Sequence, residues 1–417
     1  MTRAAAGNLW LRTRGGLGMG VIDNAQSGSP SALRRANRRR LLVLLETGEE
    51  LSQADLARST GLAPATVSNI VRELVADRVL TVVGRAGRAR LLRMDEGSGL
   101  AMGIDVGHRH ITVALVSRAG EVQAERRHDI PHNLAALDAA DLITGSFASL
   151  LEESGMRPDG LIGVGMGVPT PIDSETRRVA APSILPGWVD VDIAELVSSR
   201  VGLPVVVDND ANLGALAEHA WGAGRGLESL AYIKLSEGVG AGLILGGELY
   251  RGRQGIAGEI GHTTMDEFGR VCRCGNRGCL ETMVAARAVV NLLEPVRGPD
   301  LSIAEVVRLA EGGDAACARV LSDTGRHVGV ALANVCNVFN PERILIGGEL
   351  AQAGNFLLAP IREVVRRQGI PTATASLTIE LAALGAHTHV VGAALLAMRA
   401  SASPPDVHNM NTTAAIS

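Results

Sequence analysis

The chain has 417 residues, 46% of them hydrophobic and 20% charged, with a formal net charge of −4. This length allows two or three domains with separate cores. The sequence has neither the run of ~20 apolar residues that a membrane span needs nor an apolar block with a small-residue cleavage site at its start, which excludes membrane-spanning and signal-peptide classes and predicts a cytoplasmic protein.

The charge is divided unevenly along the chain. Residues 1–95 hold 15 arginines and 8 acidic residues, a balance of +7, whereas the remainder holds 25 basic and 36 acidic residues, a balance of −11. We call residues 1–95 the basic head and the remainder the acidic body. This division predicts that the basic head binds a polyanion, although a solvated arginine-rich face would give the same charge balance. Residues 1–32 are rich in glycine, serine and alanine without periodicity, so we expect a disordered arm there.

Residues 33–95 carry the pattern of a winged helix-turn-helix domain. A helix is predicted from Leu33 to near Gly48, and a second, short helix follows with Ser52 as its N-cap and Gly61 in the next turn. A third helix begins near Pro64. Its apolar positions recur at helical spacing: Val67, Ile70, Val71, Leu74 and Val75. Two short strands around a glycine-containing basic tip complete the predicted wing.

The third helix is the predicted recognition helix, because in this arrangement it enters the major groove. The candidate DNA-binding residues are Thr66, Ser68, Asn69 and Arg72 on this helix and Arg88 on the tip. Any three-helix bundle shares the same periodicity. The coincidence of this pattern with a basic tip and with the charge division favours operator DNA as the partner.

The acidic body repeats one plan. A strand, a glycine turn and a second strand are predicted over residues 100–117 and again over residues 230–249. Two such openings indicate a duplicated α/β unit with a ligand cleft between its halves. We predict a first lobe over residues 100–220 and a second over residues 221–417, leaving open whether the C-terminal helix returns to the first lobe.

A polar stretch follows an apolar strand at "LPVVVDNDANLG", which contains Asp208, Asn209, Asp210 and Asn212. Ligands of open α/β sheets gather beyond such strand ends, so these side chains are expected at the cleft. The alternative for Asn209 or Asp210 is the ordinary one of capping the helix that follows.

Three of the five cysteines lie within eight residues, and a histidine precedes them. Such clustering in a chain expected in a reducing compartment favours metal binding over disulfides. His262, Cys272, Cys274 and Cys279 supply one imidazole and three thiolates, which close a tetrahedral zinc site without leaving a place for a reactive water. The predicted cofactor is therefore structural Zn²⁺. Glu259 and Glu281 flank this loop, and paired carboxylates suit the adjacent hydroxyls of a sugar.

The motifs "GEIGH", "CRCGNRGCLE", "DNDAN", "GVPTP" and "ILIGGEL" together resemble the ROK family of repressors, open reading frames and kinases, over the chain from about Leu33 to its end. Within this family the chain resembles the xylose- or N-acetylglucosamine-responsive repressors that carry an N-terminal winged helix-turn-helix. The resemblance implies an actin-like, hexokinase-like fold of two lobes with a zinc loop and a sugar between the lobes. It implies that the sugar is held by Asn209, Asp210, Glu259, His262 and Glu281.

Asp210 resembles the general base of the kinase members, but both predicted phosphate loops depart from the kinase pattern. "DVGHRH" places His108 and Arg109 where glycine and threonine are expected, and "SEGVG" places Ser236 and Glu237 at the first two positions of the second loop. A bulky side chain obstructs backbone amides that cradle phosphate, and a carboxylate repels phosphate.

The sequence therefore predicts a non-catalytic, sugar-responsive transcriptional regulator of carbohydrate-metabolism genes, acting as a repressor. Half-sites on an inverted repeat would require a homodimer or homotetramer. Two alternatives remain at this point: an ATP-dependent sugar kinase with an appended DNA-binding domain, and a constitutive DNA-binding scaffold without a ligand.

Overall fold

A computed structural model describes residues 30–45, 50–76, 79–86, 89–94, 99–132, 134–173, 178–179, 185–299 and 301–401. The predicted arm, residues 1–32, lies almost wholly outside the described residues. Among the helices of the described ranges, none is both long enough and apolar enough to cross a membrane.

The basic head folds as the predicted winged helix-turn-helix. Its elements are α1 Pro30–Leu45, β1 Leu51–Ser52, α2 Gln53–Thr60, α3 Pro64–Ala76, β2 Leu80–Ala86 and β3 Ala89–Met94. The three strands form a sheet in the order β1-β3-β2. The apolar stripe of α3 is buried as expected at Val67, Ile70, Val71 and Leu74, whereas Val75 is half-buried at its edge.

Helix α2 begins on a reciprocal cap. The Ser52 hydroxyl accepts the Asp55 N–H, while the Asp55 carboxylate accepts the Ser52 N–H at 3.0 Å. Gly61 ends the helix in the left-handed region at φ 68°, a conformation that costs other residues more than glycine. The predicted N-cap and turn are confirmed.

We expect Ser52→Ala to destabilise α2 by about 1 kcal/mol, because an amide at the helix start loses its acceptor. Amide hydrogen exchange of α2 should then accelerate about fivefold. Ser199→Ala is the matched control, since Ser199 is an exposed serine within a helix. Equal exchange rates in wild type and Ser52→Ala would contradict a stabilising cap.

The acidic body contains two five-stranded sheets with the same topology. The first lobe contains β4 Leu100–Val106, β5 His110–Ser117, β6 Val122–Asp129, α4 Ala136–Ser154, β7 Val164–Val168, α5 Ile193–Val201, β8 Val205–Asn209 and α6 Asp210–Trp221. Its strand order is β6-β5-β4-β7-β8, in which β7 pairs in parallel with β4 and β8, and β5 pairs antiparallel with both β4 and β6.

The second lobe repeats this order as β11-β10-β9-β12-β13. Its elements are β9 Ser229–Leu235, β10 Val239–Leu245, β11 Glu248–Tyr250, α7 Glu281–Val284, α8 Ala286–Arg297, α9 Ile303–Glu311, α10 Ala315–Phe339, β12 Arg343–Gly347, α11 Asn355–Gln368, α12 Pro371–Thr374, β13 Thr378–Leu381 and α13 Thr388–Ser401. Each sheet has a large apolar core. The two-lobed α/β fold is the predicted one, and the domain boundaries at residues 32, 95 and 220 stay a prediction.

Helices α6 and α13 join the two lobes. Helix α6 packs against β9 and β10 of the second sheet, α13 packs against β4 and β7 of the first, and the two helices pack on each other. Glycines on the strands permit this approach. A Cβ on Gly103 would lie 2.1 Å from the Val390 carbonyl oxygen, and one on Gly165 would lie 1.9 Å from that of Ala393. This arrangement brings the ends of β4, β8 and β9 to one cleft.

Candidate functional site

The exposed side of α3 carries the predicted DNA-binding side chains. Asn69 and Arg72 are exposed, and Thr66 and Ser68 are half-buried on the flanks of the buried stripe. The Arg72 guanidinium donates to the Asn69 side-chain oxygen. Arg88 lies outside the described residues. DNA contact by these residues stays a prediction.

One pocket of the acidic body brings together all five side chains predicted to hold a sugar. Its lining includes Asn209, Asp210, Glu259, His262 and Glu281. They come from the end of β8, the start of α6, the loop after β11 and the start of α7. Both lobes therefore contribute, and the five residues that the family resemblance grouped do lie together in the structure. Sugar binding by this set stays a prediction.

Asn209 and Asp208 have structural roles beside this pocket. The Asn209 side-chain oxygen accepts the backbone N–H groups of Ala211 and Asn212, so the capping interpretation is correct for that atom. Its side-chain amide nitrogen is the group left for a ligand. Asp208 accepts from the Asn212 amide and from Arg251, both at 2.8 Å, and so fixes the turn that aims Asp210 into the pocket.

The Asp210 carboxylate forms a buried ion pair with Lys234, the only lysine of the chain. Lys234 lies on β9 with 12% of its side chain exposed, and Asp210 retains 5%. Removing a buried charge from its partner is costly, so the pair fixes the Asp210 carboxylate at the pocket wall. The sequence did not predict this contact. A lone lysine in an otherwise apolar strand was the available signal.

Glu281 is held by three donors. Arg273 donates to its two oxygens at 2.8 and 2.9 Å, and the Val239 backbone N–H donates at 3.1 Å. This bidentate geometry fixes the carboxylate while leaving lone pairs free for a ligand hydroxyl. Burial, followed by the nearby Asp210 and Glu281 carboxylates, raises the pKa of Glu259 to about 7. The pocket thus concentrates acidic groups and balances them with Lys234 and Arg273.

The four predicted metal ligands form a compact cluster. The candidate ligand atoms of His262, Cys272, Cys274 and Cys279 all lie within 4.8 Å of one another. Cys272 Sγ is 3.6 Å from His262 Nδ1, and Cys274 Sγ is 3.7 Å from Cys279 Sγ. Tetrahedral coordination with ordinary Zn–S and Zn–N lengths requires separations of roughly 3.6–3.8 Å. Two of the separations match this geometry, and the four side chains together could hold a metal ion.

The backbone of this loop depends on two glycines. Gly275 and Gly278 have φ angles of 93° and 59°, and a Cβ on Gly278 would lie 1.6 Å from the Asp266 carbonyl oxygen. These glycines let the chain turn tightly between the candidate ligands. His262 Nε2 faces Glu259 Oε2 at 3.7 Å, so the histidine joins the four-residue cluster to the pocket that contains Glu259.

A second cavity of about 490 Å³ adjoins the pocket and contains both altered phosphate loops. Arg109 follows β4 and Glu237 follows β9, and the Arg109 Nε donates to Glu237 Oε1 at 3.1 Å across the cleft. The two departures from the kinase pattern are therefore partners of each other. Burial acts to raise the pKa of Asp105, but the hydrogen bond from His110 and the charge of His389 hold it well below its usual range.

Comparisons with known proteins agree with this architecture. The family model described as ROK family matches residues 101–400, and the model described as winged helix-turn-helix DNA-binding matches residues 34–81. The crystal structure of a ROK family transcriptional regulator, a homologue of the E. coli MLC protein, superposes with a TM-score of 0.75 and 27% identity, covering 89% of this chain and 97% of that one.

Named relatives include both a repressor and a kinase. The xylose repressor of Bacillus spizizenii is 29% identical over 86% of this chain and 94% of its own length. The glucokinase of Halalkalibacterium halodurans is 34% identical, over 70% of this chain and 92% of its own length. The repressor match extends into the basic head, whereas the glucokinase match covers a share of the chain close to that of the acidic body.

Proposed function

The chain belongs to the ROK family, and from that premise we propose that it is a sugar-responsive, DNA-binding transcriptional regulator that acts as a repressor. One observation carries the proposal. The five sugar-pocket side chains converge, while the side chains that replace the phosphate loops pair with each other through Arg109 and Glu237. A winged helix-turn-helix head precedes this body. Recognition of a sugar is thus retained where the nucleotide site is altered.

The Arg109–Glu237 pair opposes kinase activity for a physical reason. A nucleotide phosphate placed between these loops would face the Glu237 carboxylate and would have to displace it from Arg109. Asp210, which resembles the general base of the kinase members, is already paired with Lys234. We infer that phosphoryl transfer has been lost and that Asp210 serves as a hydroxyl acceptor.

The metal that we propose is zinc, held by His262, Cys272, Cys274 and Cys279. Three thiolates with one imidazole form a closed tetrahedral set, so the ion would serve a structural purpose. It would fix the loop that presents Arg273 and Glu281 to the pocket.

Sugar binding would change the affinity for DNA by closing the cleft between the two lobes. Because both lobes line the pocket, a sugar binds the closed arrangement best and shifts the population towards it. In a homodimer or homotetramer this shift would change the spacing of the paired heads on an inverted repeat. Coupling of this kind typically changes affinity 5- to 150-fold. The partners that we propose are therefore operator DNA, a sugar and further copies of the chain.

The test begins with DNA that the protein selects from a random pool, followed by calorimetry with xylose, glucose and N-acetylglucosamine. We expect one sugar to bind, to lower the affinity for the selected DNA at least fivefold, and to give no phosphorylated product with ATP. Asn69→Ala is the control, because it should lose the selected DNA while it retains the sugar. Phosphorylation of the bound sugar at a rate typical of kinases would overturn the proposal.

A sugar kinase with an appended DNA-binding head is the second candidate. It is favoured by the retained Asp105, Gly107 and Asp210 and by the similarity to a glucokinase. The same ATP assay separates the two candidates, since a sensor binds sugar without turnover.

A further inference from the structure

Two side chains separate the sugar pocket from the larger cavity. His108 and Lys234 line both spaces. His108 stands at the position where the kinase pattern has glycine, and Lys234 comes from the opposite lobe. We call His108 and Lys234 together the partition. In a chain with glycine at position 108, one half of the partition would be missing.

His108 is held rigidly in the partition. Its ring stacks on His132 with centroids 5.5 Å apart and an interplanar angle of 7°, and only 8% of the residue is exposed. Within the described parts of the chain, the buried Nε2 atom has no hydrogen-bond partner. That atom is directed towards Gly238, which lines the sugar pocket: a Cβ built on Gly238 would lie 4.0 Å from it. A buried polar atom without a partner is costly, so Nε2 suits a ligand.

Burial and the nearby positive charges keep the His108 ring neutral. Burial, followed by the charges of Lys234 and Arg273, lowers the pKa of His108 to about 3. A neutral ring offers one donor and one acceptor nitrogen, which matches a hydroxyl group rather than an anion.

Three cations in or next to the partition are already paired with carboxylates, and this pairing disfavours an anionic ligand. Lys234 is paired with Asp210, Arg109 with Glu237 and Arg273 with Glu281. A phosphate group near the partition would have to displace one of these carboxylates to gain a cation. A neutral hydroxyl needs no such exchange.

We propose that His108 is a specificity-determining residue: its Nε2 forms a hydrogen bond with the sugar, and the partition restricts the pocket to neutral sugars without a phosphate at the end nearest Asp210. This inference rests on the proposed function, because it assumes that the pocket binds a sugar. It adds the class of ligand, an unphosphorylated sugar, and a residue that the family motifs do not include.

The experiment measures the affinities of full-length protein by calorimetry for glucose and glucose 6-phosphate, xylose and xylose 5-phosphate, and N-acetylglucosamine and its 6-phosphate. Wild type should prefer one neutral sugar to its phosphate by at least about tenfold. His108→Gly should weaken the neutral sugar about five- to tenfold through the lost hydrogen bond. It should also reduce the preference over the phosphate by at least that factor, because the partition is opened.

His108→Gln provides a second variant that keeps a polar side chain, and we expect it to retain more of the affinity for the neutral sugar than His108→Gly. His327→Gln, at an exposed histidine of α10, should behave as wild type. An unchanged neutral-to-phosphate ratio in His108→Gly, or a wild-type preference for the phosphate, would overturn the inference alone. Failure of wild type to bind any sugar or sugar phosphate would overturn the proposed function as well.

Discussion

Asp210→Asn is expected to weaken sugar binding about a hundredfold, because a charge-assisted hydrogen bond to a sugar hydroxyl is replaced by a neutral one in a buried pocket. The same substitution leaves the Lys234 ammonium buried without its carboxylate. The protein should therefore also lose stability, by up to about 3–5 kcal/mol. Calorimetry with the cognate sugar and thermal unfolding without it measure the two effects separately.

Asp210→Asn combined with Lys234→Met is the control for this experiment. Methionine has a similar length and carries no charge, so the double variant should regain much of the lost melting temperature. It should not regain the affinity for sugar. If the double variant binds sugar as wild type does, Asp210 serves to neutralise Lys234 and does not contact the ligand.

Cys279→Ala is expected to abolish both metal binding and the sugar response while DNA binding persists. Removal of one of four ligands weakens a closed zinc site severely, since structural zinc in small peptides contributes roughly 10–16 kcal/mol. The predicted sugar pocket should lose its affinity for sugar when the metal is lost. Glu281 lies two residues after Cys279, and Arg273, which donates two hydrogen bonds to Glu281, lies between Cys272 and Cys274.

Metal content by elemental analysis, sugar affinity by calorimetry and DNA affinity by gel shift give the three required readouts. Cys336→Ala is the matched control, because Cys336 is fully buried in α10 and lies outside the metal cluster. It should keep the zinc and the sugar response. Sugar affinity that survives in a zinc-free Cys279→Ala protein would show that the metal does not organise the pocket.

The parts of the fold that the sequence predicted are those encoded by neighbouring residues. The cap at Ser52, the stripe on α3, the turn at Gly61 and the Cys-x-Cys spacing each depend on positions a few residues apart. The duplication was visible because both halves open with the same hairpin. The five residues predicted to hold a sugar were grouped through a family resemblance.

The interactions that the sequence did not predict join distant positions. Arg109 and Glu237 are 128 residues apart, and Lys234 and Asp210 are 24 apart. In the sequence, Arg109 and Glu237 are each recognised only as a departure from the kinase pattern of a phosphate loop. Their ion pair forms because β4 and β9 end beside one cleft, and no local pattern specifies that placement. The position of His108 between the two spaces likewise depends on residues of both lobes.

The crossing of α6 and α13 affects how the chain can be made. Helix α6, which ends the first lobe, packs on the sheet of the second lobe, and α13, which ends the second lobe, packs on the sheet of the first. This exchange of helices resembles domain swapping within one polypeptide. Domains usually fold in order as they emerge during synthesis. Here β4 and β7 form the centre of the earliest sheet of the acidic body, yet the helix that covers them begins at Thr388. One face of the first sheet therefore stays uncovered until nearly the last residues of the chain have been made, while α4 and α5 cover the other face. A chain released early would expose that face.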